Sequence, residues 1–190
     1  MLRICLAAAK QKQQINLDNT CLNDYYNVMA STTIAKSSSK VRFDSRQQEA
    51  FLNLWRAYDR LRMLEDALFL QSDLTAQQYN ALRILKSVHP HSMPTLTLAA
   101  RLVSRAPDIT RLVDKLATHG WVDRQRSSEN RRVIHVSITE CGIALLDELA
   151  GPVKECHHQQ LGHMTSDELA SLIALLKKVR EPHEPKHATW

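Results

Sequence analysis

The feature that most constrains the fold is a short helical segment followed by a hairpin within residues 98–145. Over residues 107–119 the apolar residues recur at i, i+3, i+4 and i+7, so they share one face of a helix. These residues are Ile109, Leu112, Val113 and Leu116. The opposite face carries Asp108, Thr110, Arg111, Asp114, Lys115 and Thr118. The segment is therefore predicted to bury one side and to present a polar, charged side to a partner.

Both ends of this helix carry sequence signals. Proline is tolerated at a first helical position, where its missing N–H would have no partner, so the helix is predicted to begin at Pro107. Ser104 is a competing N-cap that would move the start back by about three residues. Gly120 supplies a left-handed stop. A shorter helix is predicted at about residues 96–102, which gives two helices joined by a turn.

The predicted hairpin follows directly. Trp121 and Val122 open its first strand, residues 127–130 form the turn, and the second strand returns with apolar residues in period-two alternation. The alternating residues are Ile134, Val136 and Ile138. Between residues 101 and 132 there are eight Lys or Arg and four acids, a surplus of four in a chain whose formal net charge is +5. Positive charge is therefore concentrated here, as is typical of a surface that binds nucleic acid.

The same stretch contains four short patterns in a fixed order: TRLVDKL at residues 110–116, GWVDR at 120–124, NRR at 130–132 and ITECG at 138–142. Together they resemble the MarR (multiple-antibiotic-resistance regulator) family of transcription factors, in which such sequences form the recognition helix, a strand, the wing tip and the start of the next helix. Asn130 stands where the family usually has an aspartate. The resemblance extends over residues 43–180.

The resemblance implies a mainly α fold with a small β-hairpin wing, that is, a winged helix-turn-helix with N- and C-terminal dimerisation helices. The family domain would span residues 43–180. Its winged helix would lie at about residues 74–139, and its dimerisation helices at about 44–70 and 139–180. The chain has only four glycines in 190 residues, which agrees with an α-rich fold.

The two ends of the chain are predicted to lie outside this domain. Residues 1–42 are polar and aperiodic, which predicts a disordered N-terminal extension. Met29 opens a second plausible protein, so translation could start there; a real but unstructured tail is the alternative. Residues 181–190 are polar and are predicted to form a flexible tail.

Residues 44–70 are predicted to form one helix, about 40 Å long. A helix of this length in a small protein needs something to cover it, and a partner subunit is the simplest cover. Trp55 and Tyr58 lie on its apolar stripe. Two interpretations remain open for them: core packing, or contact with a ligand in the cleft between the dimerisation and DNA-binding layers, which the resemblance implies. A small aromatic effector is the ligand considered.

The remaining helices have recognisable starts. Thr75 with Gln78, and Thr165 with Glu168, have capping-box spacing. Thr139 is predicted to cap a helix that runs to about residue 160 and is interrupted near Gly151-Pro152, because proline removes an interior hydrogen bond. The helix after Thr165 carries an apolar stripe of Leu169, Leu172, Ile173, Leu176 and Val179.

For function, the resemblance implies a sequence-specific DNA-binding transcriptional regulator, a repressor that a small-molecule effector releases. One monomer cannot place two recognition helices about 34–36 Å apart on successive major grooves of double-stranded DNA. The resemblance therefore implies a homodimer on a pseudo-palindromic operator.

Within the reading surface, Thr110 and Arg111 are predicted to contact base edges, since arginine offers a bidentate fork to guanine. Asp108 could accept from a cytosine amino group or could simply cap the helix. Arg105 and Lys115 are predicted to hold phosphates. The wing would contribute two arginines on its first strand and two at its tip, the latter near the minor groove. These are Arg124, Arg126, Arg131 and Arg132.

Other functions find less support. A winged-helix adaptor that binds only protein is one alternative, and a regulator that senses oxidants through Cys141, in the first turn of a helix, is another. Cys156, His157, His158 and His163 lack the i, i+4 spacing of a helical metal site, so no metal and no cofactor are expected. The four cysteines have no C-x-x-C spacing and are expected to be free thiols.

No enzyme motif is present: the sequence has no phosphate-binding glycine loop, no H-E-x-x-H and no G-x-S-x-G. No apolar run approaches the roughly eighteen residues that cross a bilayer, and the opening residues lack the core of a signal peptide. The chain is therefore expected to be cytoplasmic, without a membrane partner.

Overall fold

A computed structural model describes residues 42–103, 108–126, 130 and 133–184 of the chain. The chain divides into two units, Met1–Leu52 and Asn53–Trp190. In the first unit the described residues begin a helix, where Ser45 Oγ accepts a hydrogen bond from the N–H of Gln48 at 3.0 Å. The rest of the architecture described here belongs to the second unit. No helix in the described ranges combines the length and apolar character that crossing a lipid bilayer requires.

The described elements are mainly helical, as predicted. The helices are α1 (Arg46–Leu70), α2 (Ala76–Val88), α3 (Thr95–Arg101), α4 (Ile109–Thr118), α5 (Glu140–Leu161) and α6 (Ser166–Arg180), with a 3₁₀ turn at Glu181–His183. The strands are β1 (Met93–Pro94), β2 (Val122–Arg126) and β3 (Ile134–Ile138).

The wing is a three-stranded antiparallel sheet in the order β1-β3-β2, whereas a two-stranded hairpin was predicted. Val122 pairs with Ile138 in the hairpin, and Met93 pairs with Val136 on the other side of β3. No strand was predicted at Met93–Pro94. Two residues are too few to show a period, and proline in an edge strand gives no sequence signal for pairing.

Helix α4 begins two residues later than predicted. Its first residue is Ile109 and its N-cap is Asp108, whose Oδ1 accepts from the N–H of Arg111 at 3.0 Å. The predicted start at Pro107 is wrong because the aspartate carboxylate, one of the preferred N-cap groups, satisfies a helix N–H that would otherwise lack a partner. Pro107 and Ser104 lie outside the described residues.

Helix α5 runs through Pro152 without the interruption that was predicted near Gly151-Pro152. The side chains on either side, Leu149 and Val153, are both buried in the core. Tertiary packing supplies most of the stability of a helix in a protein, so burial of this face outweighs the one hydrogen bond that proline cannot donate.

The core of the second unit joins the sheet to α2, α3, α4 and α5. Its largest fully buried side chains are Leu82, Leu85, Leu98, Leu116, Val113 and Val136. Burying a side chain of this size stabilises the fold by about 1.5–3 kcal/mol. Two of them, Val113 and Leu116, belong to α4, so the core holds this helix in a defined orientation.

Helices α1 and α6 contribute little to that core. Phe69 is the buried residue of α1, and α6 has none among the residues that the structure describes. Trp55 is 61% exposed and Tyr58 is 59% exposed. Core packing, the first interpretation of these two aromatic residues, is therefore wrong for a single chain.

Candidate nucleic-acid interface

Helix α4 presents the polar face that the sequence predicts. Val113 and Leu116 are buried, and Ile109 and Leu112 pack partly against the core. Thr110, Arg111, Asp114, Lys115 and Thr118 are exposed on the other side. The helix is thus fixed by its apolar face and exposes a row of donors and charges.

The C-terminal end of α4 is locked by a Schellman motif. Gly120 has φ +72°, a left-handed conformation that glycine adopts without a Cβ penalty. Its N–H donates to the carbonyl of Ala117 at 2.9 Å, and the N–H of Trp121 donates to that of Leu116 at 3.1 Å. The same turn leads directly into β2, so the end of the helix sets the position of the wing.

A second set of contacts ties this turn to α5. The hydroxyl of Thr139 donates to the carbonyl of Gly120 at 2.7 Å and accepts from the N–H of Gly142 at 3.2 Å. The N–H of Thr139 donates to the carbonyl of Trp121 at 3.0 Å. The pattern ITECG therefore has a structural reason: its threonine caps α5 and holds the turn after α4, and its glycine lets the two backbones approach closely.

An ion pair joins the wing to α4. Arg124 of β2 contacts the carboxylate of Asp114, which lies on the outward face of the helix. Arg126, two residues further along β2, is exposed and has no ion-pair partner within the described residues. The two strand arginines therefore have different surroundings: one holds the wing against the helix, and the other is available to a ligand.

Lys115 of α4 and the C-cap residue His119 both contact Asp73, in the turn between α1 and α2. Lys115 Nζ lies 3.3 Å from Asp73 Oδ1, and His119 Nε2 lies 3.3 Å from Asp73 Oδ2. The imidazole of His119 also stacks on Trp121, with ring centroids 4.2 Å apart. The C-terminal half of α4 is thus bound to an acid from a distant part of the chain.

Six of the nine residues predicted to contact DNA are described, and the fold brings them to α4 and β2. Asp108 caps α4, as one of its two interpretations proposed. Arg111 has no ion-pair partner within the described ranges, which distinguishes it from Lys115 and Arg124. Three residues lie outside the described parts of the chain: Arg105, Arg131 and Arg132.

A cleft of about 630 Å³ opens between α1, α2 and α5. Tyr58 lines it, whereas Trp55, the other residue predicted to contact a ligand, is not part of the lining. Phe69 and Tyr79 stack in its wall with ring centroids 4.7 Å apart. Two arginines and two acids also line it, namely Arg62, Arg83, Glu65 and Asp66, and Arg62 is paired with Asp66 at 3.1 Å.

The described thiols and histidines do not converge on one site. Cys141 is exposed and Cys156 is buried, and neither of these two forms a disulfide bond within the described residues. Burial raises the pKa of the Cys156 thiol, and the nearby Glu65 carboxylate raises this pKa further. His157, His158 and His163 are exposed. Among the described residues there is no group of three His, Cys, Asp or Glu side chains that could hold a metal ion.

Sequence reasoning missed two features of this surface. Asp73 lies 42 positions before Lys115, and neither periodicity nor charge spacing links residues so far apart. The cleft arginines, Arg62 and Arg83, are separated along the chain and converge only in the folded unit. For the contact with Lys115, the one signal in the sequence was the acidic residue Asp73 in a short turn between two predicted helices.

The chain is similar to known proteins of one family. The model of the MarR family matches residues 74–134. The transcriptional repressor MprA of Escherichia coli (strain K12) is 32% identical over 101 residues, which are 53% of this chain and 57% of that repressor. The chain therefore matches little more than half of that relative's length. The relatives named here are transcriptional regulators, which confirms the prediction that the chain is not an enzyme.

Two solved structures extend the comparison. A MarR transcription factor from Planctomyces limnophilus is 54% identical, with a TM-score of 0.59 over 72% of this chain and 98% of that one. A MarR mutant from E. coli, complexed with operator DNA, is 25% identical, with a TM-score of 0.62 over 69% of this chain and 93% of that one. Both have the winged-helix architecture described above, and the chain is a member of the MarR family of transcriptional regulators.

Proposed function

We propose that the chain binds double-stranded DNA with sequence specificity, with α4 in the major groove and the wing beside it. The observation that carries this proposal is Arg111: its guanidinium is exposed and without an ion-pair partner in the described residues, on a helix whose other face is fixed by Val113 and Leu116. An arginine without an ion-pair partner, on a helix that the core holds in place, is well suited to bidentate contact with guanine. Thr110, next to it, would add a hydroxyl or methyl contact.

The remaining basic residues fit a supporting role. Arg126 on β2 is available to a phosphate, and the wing-tip pair Arg131 and Arg132 would reach the adjacent minor groove. Arg105 would contact the backbone before the start of α4. Arg124 would act indirectly, because its pair with Asp114 holds the wing against the recognition helix. Support also comes from the E. coli MarR mutant that was solved with operator DNA.

The proposed active form is a homodimer on a pseudo-palindromic operator in the cytoplasm. Half-sites one helical turn apart need two copies of α4 about 34–36 Å apart. Helix α6 has no buried residue within the described part of the single chain, although its sequence is amphipathic. A second copy of the chain would cover that face.

The proposed activity is repression that a small aromatic acid relieves. The cleft supports this part, because it combines the rings of Tyr58 and Tyr79 with the guanidinium of Arg83. An aromatic ring would pack on the tyrosines and a carboxylate would pair with arginine. The repressor MprA, whose sequence is similar, supports the sign of the regulation.

The test is selection of bound sequences from a random duplex library, followed by titration of the selected duplex. Arg111→Ala should weaken binding by about 1–3 kcal/mol and relax specificity at one base position. Lys154→Ala, which removes an exposed positive charge from α5, serves as the matched control and should bind like the wild type. Benzoate should weaken binding by the wild type and should have less effect on Arg83→Gln.

Two results would contradict the proposal. Absence of any preferred duplex, with no salt dependence of binding, would favour the adaptor that binds only protein. Equal binding by Arg111→Ala and the wild type would show that α4 does not read the bases.

A further inference from the structure

Asp73 lies at the C-terminal end of α1, where a negative charge is unfavourable. It has φ +49°, and its N–H donates to the carbonyl of Leu70 while the N–H of Leu74 donates to that of Phe69, which forms a Schellman motif at the end of α1. Glycine or asparagine is the usual residue there. A negative charge at a helix C-terminus is unfavourable because the helix dipole is negative at that end. Aspartate adopts the left-handed conformation about as well as asparagine does, so the unfavourable element here is its negative charge at the end of α1.

The carboxylate of Asp73 instead acts across the fold. Its two oxygens contact Lys115 Nζ and His119 Nε2, each at 3.3 Å; Lys115 belongs to α4 and His119 is the C-cap of that helix. The carboxylate is 70% exposed and the lysine side chain is 46% exposed, so the pair lies at the surface. Surface pairs of this kind are weak and exchange readily for another partner.

Lys115 lies on the outward face of α4 with Thr110 and Arg111, the residues proposed to read DNA. We propose that Asp73 is a built-in competitor of the DNA backbone: it neutralises Lys115 and withholds it from phosphate. It is a positioning residue, since it acts through Lys115 and His119. Its effect is to lower the affinity for DNA without changing which bases are read. This inference rests on the proposed DNA binding.

The test compares the full-length wild type with Asp73→Asn on the selected duplex. Asparagine has the same size and tolerates the left-handed conformation, so the turn is preserved. Asp73→Asn should bind about two- to tenfold more tightly at moderate salt, and its salt slope should steepen by about one because one more cation reaches a phosphate. Preference among duplexes should not change. Asp73→Gly, which also suits this conformation, should have the same effect.

Two controls separate competition from a general change in charge. Asp147→Asn makes the same charge change at an exposed carboxylate that pairs with Lys86 at 2.5 Å, and it should leave DNA binding unchanged. In a Lys115→Gln background, Asp73→Asn should lose most of its effect, because the competed lysine is absent.

The outcomes are distinct. Equal or weaker binding by both Asp73 variants, with wild-type binding intact, would overturn this inference alone and would indicate that Asp73 orients α4 for DNA. A gain of affinity that persists in the Lys115→Gln background would also overturn it. Failure of every variant, including the wild type, to bind any selected duplex would overturn the proposed function and this inference with it.

Discussion

Position 142 shows how a single residue controls the approach of two backbones at the proposed interface. A Cβ on Gly142 would overlap the carbonyl oxygen of Trp121 and would lie 2.8 Å from Cγ1 of Ile138. Neither neighbour can give way easily, because the first is backbone and the second belongs to a buried strand residue. The glycine is therefore required for close packing of the turn after α4 on the first turn of α5.

Gly142→Ala should lower the free energy of unfolding by about 1–3 kcal/mol through overpacking. Gly151→Ala, in the same helix, is the matched control because a Cβ there meets nothing within 4 Å. The free energy of unfolding of Gly151→Ala should differ from that of the wild type by no more than about 1 kcal/mol. The higher helix propensity of alanine is offset by the conformational restriction on the residue that precedes Pro152. Urea unfolding of both variants measures the difference, and equal stability of the two would contradict the close approach.

At the same scale, the residues that could be predicted were those whose role depends on local spacing. Thr110 and Arg111 lie on one face of a helix whose period is visible within residues 107–119, so their exposure was predicted and is confirmed. The roles of Asp73 and Arg83 depend on contacts between distant segments. Arg105, Arg131 and Arg132 lie outside the described residues, and their DNA contacts stay predictions.

Among the elements, the helix starts illustrate the strength of local hydrogen bonding. Both predicted capping boxes are confirmed, at Thr75 of α2 and Thr165 of α6. In the second, the N–H of Thr165 donates to Glu168 Oε2 at 2.8 Å, and the N–H of Glu168 donates to Thr165 Oγ1 at 3.3 Å. The hydrogen bond from the backbone of Thr165, and then the one from its hydroxyl, lower the pKa of Glu168 below its ordinary 4.5.

This pKa shift predicts an acid-sensitive start of α6. Since the pKa is lower in the folded state, the carboxylate stabilises folding fully above its unfolded pKa, and the contribution is lost as the pH falls through the folded pKa. Between about pH 6 and pH 3, thermal stability should therefore fall more for the wild type than for Glu168→Gln, which retains the capping box without a titrating group. Glu155→Gln controls for the loss of one exposed carboxylate. Parallel pH profiles of wild type and Glu168→Gln would contradict this account.

Two of the three elements that the sequence predicted incorrectly share one cause: tertiary contacts outweighed a local signal. Strand β1 forms by pairing with the edge of β3 that β2 leaves open. Helix α5 continues through Pro152 because Leu149 and Val153, close to the proline, are buried in the core. The start of α4 is the exception. There a local competitor, the carboxylate of Asp108, displaced the proline signal. Helix type and order were predictable, whereas ends and sheet membership were not.

On the scale of the whole molecule, an amphipathic helix without a buried residue is the main feature that one chain leaves unexplained. The apolar stripe of α6 includes Ile173, which is 52% exposed. Ala174 lies on the opposite face of the same helix and is also exposed. The proposed homodimer would bury Ile173 and leave Ala174 exposed.

Ile173→Asp should therefore dissociate the dimer, because association would bury an unpaired carboxylate. The folded monomer should be little affected, since this position is exposed in the single chain. Ala174→Asp should remain dimeric. Sedimentation equilibrium at micromolar concentration distinguishes the two, and a dimeric Ile173→Asp would place the subunit interface elsewhere. Loss of the dimer should also weaken binding to a two-half-site operator far more than binding to a single half-site.

The small sheet also restricts how copies of this protein can associate. Its edge strand β1 has two residues, one of them Pro94 with no N–H to donate, and its other edge, β2, carries Asp123, Arg124 and Arg126 beside exposed Gln125. Short, proline-containing or charged edges do not accept an additional strand from another molecule. A rise in protein concentration should therefore not cause aggregation by strand pairing through the wing. Neighbouring copies bound to one promoter should likewise not pair through their wing strands.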